Sequence, residues 1–335
     1  MPTKGTGLES LTTSQNITKI LFLLTNKFVA MGLHGMLLIR ISLIGVIILA
    51  IVAATAAAAA LAKPGCHNMC GNVEIPYPFG LSKECSLDET YLITCDNNLA
   101  KKGVTVTNIS IEAHELRVLN FVAQDCYDQH GSSVQNTKAS FWAAMYNISK
   151  TKNKFTAIGC DTYAYLTGTQ NGEKYSIGCM SLCNSLRNVV NGSCSGVGCC
   201  QVELPDGLKN ISVTLGSYYE YKNVSDFNLC GYAFVVEQDQ FSFSPAYLKN
   251  LPYEEVPMVL DWAIGNETCE VASRNITSFS CKGNSACYDL ETRSGYQCKC
   301  KQGYRGNPYL PNGCEGIYMF MNFKYLLWYL FSISF

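Results

Sequence analysis

Downstream of residue 66, apolar and polar residues alternate over short stretches of the chain. The alternation is clearest in two runs: Ile211, Val213 and Leu215, and Tyr232, Phe234 and Val236. A repeat of two residues is typical of β-strands with one buried face. Prolines, glycines and Asn-Gly or Asp-Gly pairs interrupt these stretches and mark turns, and no long amphipathic helix is apparent. The pattern predicts a mainly β fold built from small antiparallel sheets.

A long apolar segment precedes this region. Residues 41–62 read ISLIGVIILAIVAATAAAAALA, carry no charge, and lie between Arg40 and Lys63. A basic flank, an apolar core and a run of small residues are typical of a secretory signal peptide. Residues 1–62 are therefore interpreted as a targeting region that is cleaved near residues 60–62. The alternative is an uncleaved signal anchor that holds the chain in the membrane, because a helix of this length spans about 33 Å.

The other end of the chain, residues 316–335, is also apolar and aromatic. Lys324 interrupts this stretch, and 11 residues follow the lysine. Those residues give about 16 Å of helix, which is half the thickness of a bilayer core. The segment is therefore interpreted as a divergent apolar tail and not as a membrane span.

Eighteen cysteines lie between Cys66 and Cys314. This density is typical of proteins that fold in an oxidising compartment and are held together by disulfides. The cysteines fall into three groups of six: Cys66, Cys70, Cys85, Cys95, Cys126 and Cys160; Cys179, Cys183, Cys194, Cys199, Cys200 and Cys230; Cys269, Cys281, Cys287, Cys298, Cys300 and Cys314. Because each group is even and can close on itself, we expect three small modules, at residues 63–165, 166–264 and 265–315. The pairing within the first two groups stays open, since six cysteines can pair in many ways.

Composition and charge argue against two classes of protein. Apolar residues make up 48% of the chain and charged residues 15%, which argues against intrinsic disorder. Residues 66–315 contain 19 basic and 25 acidic side chains, a net charge of −6. The chain therefore lacks the basic field that binding to a nucleic-acid backbone requires.

Acceptor motifs for N-glycosylation are more frequent than expected. Seven occur after residue 66, whereas chance predicts about three. The acceptor asparagines are Asn108, Asn147, Asn191, Asn210, Asn223, Asn266 and Asn275. Because a glycan requires solvent, we expect all of these positions to be exposed. The motifs support export to the extracellular side as a glycoprotein.

The third cysteine group has the spacing C-x11-C-x5-C-x10-C-x-C-x13-C, with Gly303 and Tyr304 after the close pair Cys298 and Cys300. This pattern resembles an EGF-like module. The resemblance implies three disulfides: Cys269–Cys287, Cys281–Cys298 and Cys300–Cys314. Calcium-binding members carry an acidic pair before the first cysteine, whereas residues 265–268 read GNET. The sequence therefore argues against a calcium ion in this module.

A second resemblance begins at residues 70–80, CGNVEIPYPFG. This string is similar to the opening of the galacturonan-binding domain of plant wall-associated receptor kinases. Four further stretches are similar to successive parts of the same ectodomain: residues 193–208, 230–244, 259–269 and 295–314. The resemblance implies a galacturonan-binding domain at 63–165, a second cysteine-rich module at 166–264 and the EGF-like domain at 265–315.

The resemblance ends after Glu315, where the family would continue towards a membrane span and a kinase. The glycine loop, catalytic loop and DFG patterns of protein kinases are absent from the sequence. The adjacent acids Glu254 and Glu255 diverge on a strand, which is poor geometry for hydrolysis by an acid pair. We therefore expect an ectodomain truncated before its kinase and without enzymatic activity.

Binding to galacturonan, a polyanion, requires a local basic patch in an acidic protein. Such a patch is predicted at Lys138, Lys150, Lys152 and Lys154, with Lys101 and Lys102 as additional candidates. If residues 147–155, NISKTKNKF, form one strand, the last three lysines share one face. The alternative is a solvated edge strand that lysines protect from aggregation. No cofactor is predicted. The alternative to binding through lysines is a calcium ion that bridges an acidic surface of the protein and pectate.

Three aromatic side chains are candidates for stacking on sugar rings: Tyr77, Phe79 and Trp142. Large rings in small domains pack more often in the core, and we expect all three to do so.

The sequence thus predicts a non-enzymatic, disulfide-rich glycoprotein at the extracellular face of the cell, in the wall or at the plasma membrane. Its expected partner is acidic cell-wall polysaccharide, namely pectin and oligogalacturonides. A membrane is a further partner if the apolar segment at 41–62 is not cleaved, and no nucleic acid is expected. The alternative function is a secreted protein-interaction or structural wall protein that acts through its EGF-like module.

Overall fold

A computed structural model of the protein describes residues 61–143, 145–170, 172–290 and 294–316. Most of the predicted targeting region and the apolar tail from residue 317 onward lie outside the described residues. The residues that would distinguish a cleaved signal from a membrane anchor also lie outside the described part of the chain. Among the described residues, no helix has the length and apolar character needed to cross a membrane.

Short strands dominate the described part of the chain. They are β1 (Met69–Cys70), β2 (Val73–Glu74), β3 (Thr94–Asp96), β4 (Leu99–Lys101), β5 (Val106–Ser110), β6 (Glu115–Phe121), β7 (Ala123–Tyr127), β8 (Ser133–Thr137), β9 (Ala139–Trp142), β10 (Asn147–Ile148), β11 (Asn153–Gly159), β12 (Asp161–Gln170), β13 (Glu173–Leu182), β14 (Gly198–Glu203), β15 (Asn210–Ser217), β16 (Cys230–Glu237), β17 (Glu255–Asp261), β18 (Ser285–Asp289), β19 (Tyr296–Cys300), β20 (Tyr304–Gly306) and β21 (Cys314–Gly316). An α-helix, α1, covers Cys269–Ser273, and 3-10 helices cover Glu89–Tyr91, Leu186–Asn188, Lys222–Val224, Gln238–Gln240 and Pro245–Leu248. All 18 cysteines are paired in disulfides. The predicted mainly β, disulfide-rich fold class is confirmed.

Three antiparallel sheets make up most of the fold. Their strand orders are β10-β17-β6-β5, β14-β11-β16-β7-β8 and β13-β12-β15-β9, and four two-stranded sheets, β1-β2, β3-β4, β18-β19 and β20-β21, lie outside them. The alternating run from Ile211 to Leu215 lies in β15, with Ile211 and Val213 buried as the sequence pattern predicts.

Strand β16 is buried on both of its faces. Tyr232, Phe234 and Val236 pack into one hydrophobic cluster, and Ala233 and Val235 pack into a second one on the opposite side. The alternation of large side chains correctly identifies the strand. It underestimates the burial, because small and branched residues fill the second face.

The expected closure of the first two cysteine groups is wrong. Cys126 pairs with Cys230 and Cys160 pairs with Cys183, so two disulfides join the first group to the second. The reason is strand order: β7 pairs with β16 and places Cys126 directly opposite Cys230. The predicted boundary between residues 165 and 166 falls inside β12, and the five-stranded sheet combines strands from both sides of it.

The remaining disulfides are local. The third group contains Cys269–Cys287, Cys281–Cys298 and Cys300–Cys314, the pairs that the EGF resemblance implies. The other pairs are Cys66–Cys85, Cys70–Cys95, Cys179–Cys200 and Cys194–Cys199. In the EGF-like module, the Oδ1 atom of Asp289 accepts a hydrogen bond from the Cys269 backbone N–H at 2.6 Å.

Residues 147–155 do not form one strand. Strand β10 ends at Ile148 and pairs with β17, whereas β11 begins at Asn153 and pairs with β14 and β16. The side-chain amide of Asn153 donates to the carbonyls of Ser149 and Val259, which holds the intervening turn. The expected single face of three lysines is therefore wrong.

Six of the seven predicted glycosylation sites are exposed. Asn147 is the exception, since it pairs with Asp261 across β10 and β17 and is only 8% exposed. The expectation of an exposed position is wrong for Asn147.

Candidate functional site

The proline-rich peptide at residues 70–80 packs inward. Tyr77 and Phe79 are buried, and the Phe79 ring makes edge-to-face contacts with Tyr91 and Trp262, with centroids 5.4 and 5.3 Å apart. These contacts agree with the predicted packing role of the two rings. Trp142 differs: it is 76% exposed at the edge of its sheet, so the expectation of core packing is wrong there.

Hydrogen bonds join the EGF-like module to this peptide and to two other residues, Leu61 and His114. The side-chain amide of Asn307 donates to the carbonyls of Leu61 and Tyr77. His114 Nε2 lies 2.8 Å from the Tyr309 hydroxyl. Because these bonds join the module to residues far away in sequence, the surfaces on either side of the junction are held in one geometry.

A cleft of about 640 Å³ opens along this junction. One wall is formed by β5 and the residues after it, 108–112, and the other by β19 and β20, at 298–300 and 304–306. Leu61, Pro76 and Pro308 also line the cleft. The cleft thus lies between residues of two strand-containing segments that are far apart in the sequence.

Charged and aromatic side chains line the cleft unevenly. Lys299 and Arg305 on the EGF-like wall are basic, Glu112 on the opposite wall is acidic, and Tyr304 contributes a ring that is 38% exposed. The Lys299 Nζ atom also lies over the Tyr288 ring, 5.6 Å from its centroid. An ammonium, a guanidinium and a ring can together hold a chain that carries carboxylates and hydroxyls.

The distribution of charge along the chain agrees with this arrangement. Residues 66–120 contain 4 basic and 7 acidic side chains, or −3, whereas residues 265–315 contain 6 basic and 5 acidic ones, or +1. The EGF-like module is thus more positive than residues 66–120, and it contributes Lys299 and Arg305 to the cleft.

The three predicted lysines at and before β11 each have an acidic partner. Lys150 Nζ lies 2.8 Å from Asp206 Oδ2, Lys152 Nζ lies 3.5 Å from Glu115 Oε1, and Lys154 forms an ion pair with Glu203. Lys150 and Lys152 lie in the turn before β11, and Lys154 lies in that strand. Three carboxylates thus balance the charge of the three lysines.

The other predicted lysines lie in different surroundings. Lys101 pairs with Asp96 at 2.9 Å. Lys102 donates to the backbone carbonyls of Glu89 and Leu92, and burial lowers the pKa of its ammonium group. Lys138 is exposed between β8 and β9. The structure therefore does not bring the six candidates into one basic patch.

Lys299, Tyr304 and Arg305 were missed as candidate ligand contacts. Their sequence, from Cys298 to Gly306, serves as a signature of the EGF-like module, and nothing in that signature reveals which surface it will face. Net charge along the sequence does not distinguish them either, because residues 121–165 carry the same net charge of +1 as residues 265–315. Among the described residues, no group of three or more His, Cys, Asp or Glu side chains is placed to hold a metal ion.

Comparison with known proteins identifies the first part of the chain. Residues 66–120 match the family model described as "Wall-associated receptor kinase galacturonan-binding". They constitute a domain of that family, and the resemblance predicted from residues 70–80 is confirmed.

The similarity extends well beyond this domain. The chain is 41% identical over 259 residues to wall-associated receptor kinase 2 of Arabidopsis thaliana, covering 75% of the chain and 34% of the relative. It is 40% identical to wall-associated receptor kinase 5 and 38% identical to wall-associated receptor kinase 1 of the same plant, covering 76% of the chain and 35% of each relative. The chain thus spans about a third of the length of these relatives and corresponds to a wall-associated receptor ectodomain. No solved structure matches the chain.

Proposed function

We propose that this chain is a polysaccharide-binding ectodomain of the wall-associated receptor type, at the extracellular face of the plasma membrane or in the cell wall. Its ligand is the de-esterified galacturonan of pectin, including oligogalacturonides. The observation that carries the proposal is the basic wall of the EGF-like module, which faces residues of the galacturonan-binding domain across the cleft. The protein binds its ligand and does not alter it.

The polymer lies along the cleft with its carboxylates towards Lys299 and Arg305. Galacturonan carries a carboxylate on nearly every sugar, so an extended chain presents a row of negative charges to these two side chains. Tyr304 offers a partly exposed ring for the apolar face of a sugar. Because the contacts are charge-assisted and open to solvent, binding weakens as salt increases.

Retention on immobilised polygalacturonate, measured against salt concentration, tests the proposal. The glycosylated full chain is expected to elute later from polygalacturonate than from a neutral dextran matrix. The double variant Lys299→Ala/Arg305→Ala is expected to elute from polygalacturonate at a lower salt concentration than the wild-type chain. The double variant Lys174→Ala/Lys249→Ala removes the same charge from exposed positions that do not line the cleft, and it is the matched control.

Two outcomes would contradict the proposal at different levels. Equal retention of the wild-type chain on both matrices would exclude galacturonan binding. Retention that survives the cleft variant but is lost in Lys150→Ala/Lys152→Ala/Lys154→Ala would place the ligand on the lysines next to β11. In that case the protein would bind galacturonan, but at a site other than the cleft.

A further inference from the structure

The sheet β13-β12-β15-β9 buries one face and exposes the other. The inner face packs Leu166, Ile211 and Val213 into the core. The outer face is rich in neutral polar side chains, all at positions that alternate with the buried ones: Ser140, Thr167, Thr169, Ser176, Asn210, Ser212 and Thr214. This outer face therefore offers many hydrogen-bonding groups.

Trp142 and Asn210 are directly opposite each other on the outer face. Trp142 lies in the edge strand β9, and its Cα partner in β15 is Asn210. Directly opposed residues in an antiparallel pair have Cβ atoms about 4.5–5.5 Å apart on the same face. Asn210 is exposed and begins the acceptor motif Asn-Ile-Ser. An exposed indole therefore lies next to the nitrogen atom to which a glycan would be attached.

A shallow depression of about 600 Å³ lies beside Asn210, on the side away from Trp142. Its lining includes Thr167, Thr169, Lys174 and Tyr175. Thr167, Thr169 and Lys174 occupy outer-face positions, whereas Tyr175 packs against the core. The depression thus combines space for sugar rings with donors and acceptors.

We infer that Asn210 carries an N-linked glycan whose first sugars lie flat on this outer face. The first N-acetylglucosamine packs its apolar face against the indole of Trp142, and the chain continues over the depression. The occupant is the protein's own glycan, because its attachment point at Asn210 lies on this face directly opposite the exposed indole of Trp142. The inference rests on export of the chain and not on galacturonan binding.

The attachment is a transfer from a lipid-linked oligosaccharyl diphosphate. The bond between sugar C1 and the diphosphate oxygen breaks, and a bond between C1 and Asn210 Nδ2 forms. The amide nitrogen loses one proton, and the lipid diphosphate leaves with the bonding electron pair. The transfer changes no oxidation state.

The glycan would also cover the exposed edge of the sheet. Strand β9 has one hydrogen-bonded neighbour, β15, and lies at the end of the strand order. An uncovered edge strand can pair with a strand of another molecule. A glycan that covers Trp142 beside this edge would reduce such pairing.

The test uses the full chain secreted from eukaryotic cells. Asn210→Gln and Ser212→Ala both remove the acceptor motif, whereas the control Ser212→Thr keeps it and Asn191→Gln removes a motif at another exposed position. Mass spectrometry measures occupancy at Asn210. Acrylamide quenching of tryptophan fluorescence measures the exposure of Trp142. The part of the fluorescence that comes from Trp142 is the difference between the wild-type chain and Trp142→Phe.

We expect Asn210 to be occupied in the wild-type chain and in Ser212→Thr. Removing the motif should increase quenching of Trp142 and lower the melting temperature by about 2–4 °C. In a Trp142→Ala background, removing the acceptor motif at Asn210 should no longer lower the melting temperature. The control Asn191→Gln should change neither the quenching of Trp142 nor the melting temperature.

Enzymatic trimming of the folded wild-type glycoprotein provides a test that does not depend on folding of the variants. Trimming to the first sugar should leave Trp142 shielded, and complete removal of the glycan should expose it. An unoccupied Asn210, equal quenching with and without the glycan, or additive effects of the glycan and Trp142 on the melting temperature would overturn the inference. So would binding of a neutral glucan that depends on Trp142 in the occupied glycoprotein.

Discussion

Three buried asparagines join parts of the chain that are distant in sequence. Each of them, Asn153, Asn228 and Asn307, uses both its side-chain oxygen and its nitrogen for backbone groups. Asn228 Oδ1 accepts from the Cys160 N–H at 2.6 Å, and its Nδ2 donates to the carbonyls of Cys230 and Leu248 at 2.7 and 2.8 Å. An amide can satisfy a donor and two acceptors at once, which suits it to irregular junctions between sheets.

The first prediction concerns Asn228. Asn228→Ala leaves three backbone groups without this partner in a site that is 0% exposed, and should lower the free energy of unfolding by about 2–4 kcal/mol. Denaturation in guanidinium measures the loss. Asn250→Ala is the control, because Asn250 is exposed and should change stability by less than about 0.5 kcal/mol. Equal stability of the two variants would contradict the role given to Asn228.

The second prediction concerns Asp125, a carboxyl group that is 1% exposed. Burial raises its pKa above the ordinary value of 3.8, and the hydrogen bond from Asn136 opposes that effect only in part. The folded state therefore holds this proton more tightly than the unfolded state, so the carboxyl group destabilises the fold increasingly as pH rises through and above 3.8.

Asp125→Asn removes this titration and keeps an oxygen that accepts from Asn136. The free energy of unfolding of the wild-type chain should fall relative to that of the variant as pH rises above 3.8, and the difference should level off once pH passes the folded-state pKa. Chemical denaturation of both proteins across this range measures the difference. A difference that stays constant with pH would show that Asp125 has an ordinary pKa.

Some single residues could be interpreted from the sequence and others could not. Tyr77 and Phe79 are correctly expected to pack, because the closely spaced prolines and large rings around them signal a fixed, buried turn. The lysines near β11 are misjudged because their partners, Glu115, Glu203 and Asp206, are remote in the sequence. Local charge counting cannot detect neutralisation across strands.

At the scale of elements, the disulfides follow strand pairing more than they follow cysteine spacing. The EGF-like pairs span 14 to 18 residues and lie in small local sheets, so a spacing motif identifies them. Cys126–Cys230 spans 104 residues and depends on the pairing of β7 with β16. That pairing is a long-range contact, which the grouping of cysteines along the chain does not reveal.

The third prediction compares two disulfides of very different loop length. Cys126→Ser/Cys230→Ser opens a loop of 104 residues, for which chain entropy implies a loss of about 4.7 kcal/mol. Cys194→Ser/Cys199→Ser opens a loop of 5 residues and should cost about 2 kcal/mol. Guanidinium denaturation of the two double variants measures both losses. A larger loss for the short loop would show that local packing, and not loop closure, determines the contribution of these bonds.

The strands themselves were only partly predictable. Alternation correctly identifies β15 and β16, since each carries a large apolar residue at every second position. Residues 147–155 mislead because alternating lysines suggest one continuous strand, whereas Asn153 closes a turn within it.

At the scale of the whole molecule, the described residues form one compact unit. The five-stranded sheet interleaves the first two predicted modules, and Trp262 and Tyr309 pack in the same hydrophobic cluster as Phe79. The cleft exists only because the EGF-like module is held against residues 66–120. The sequence reveals both parts of this arrangement, but their juxtaposition depends on contacts between distant residues.

Hydrogen exchange of the glycosylated full chain, with and without oligogalacturonide, tests most directly whether the cleft binds pectin. The account predicts that the oligomer slows amide exchange at residues 106–112 and 298–306, which form the two walls, and leaves residues 150–154 unchanged. A methyl-esterified oligomer of the same length lacks the carboxylates and should give no protection. Protection confined to residues 150–154, or equal protection by both oligomers, would contradict the account.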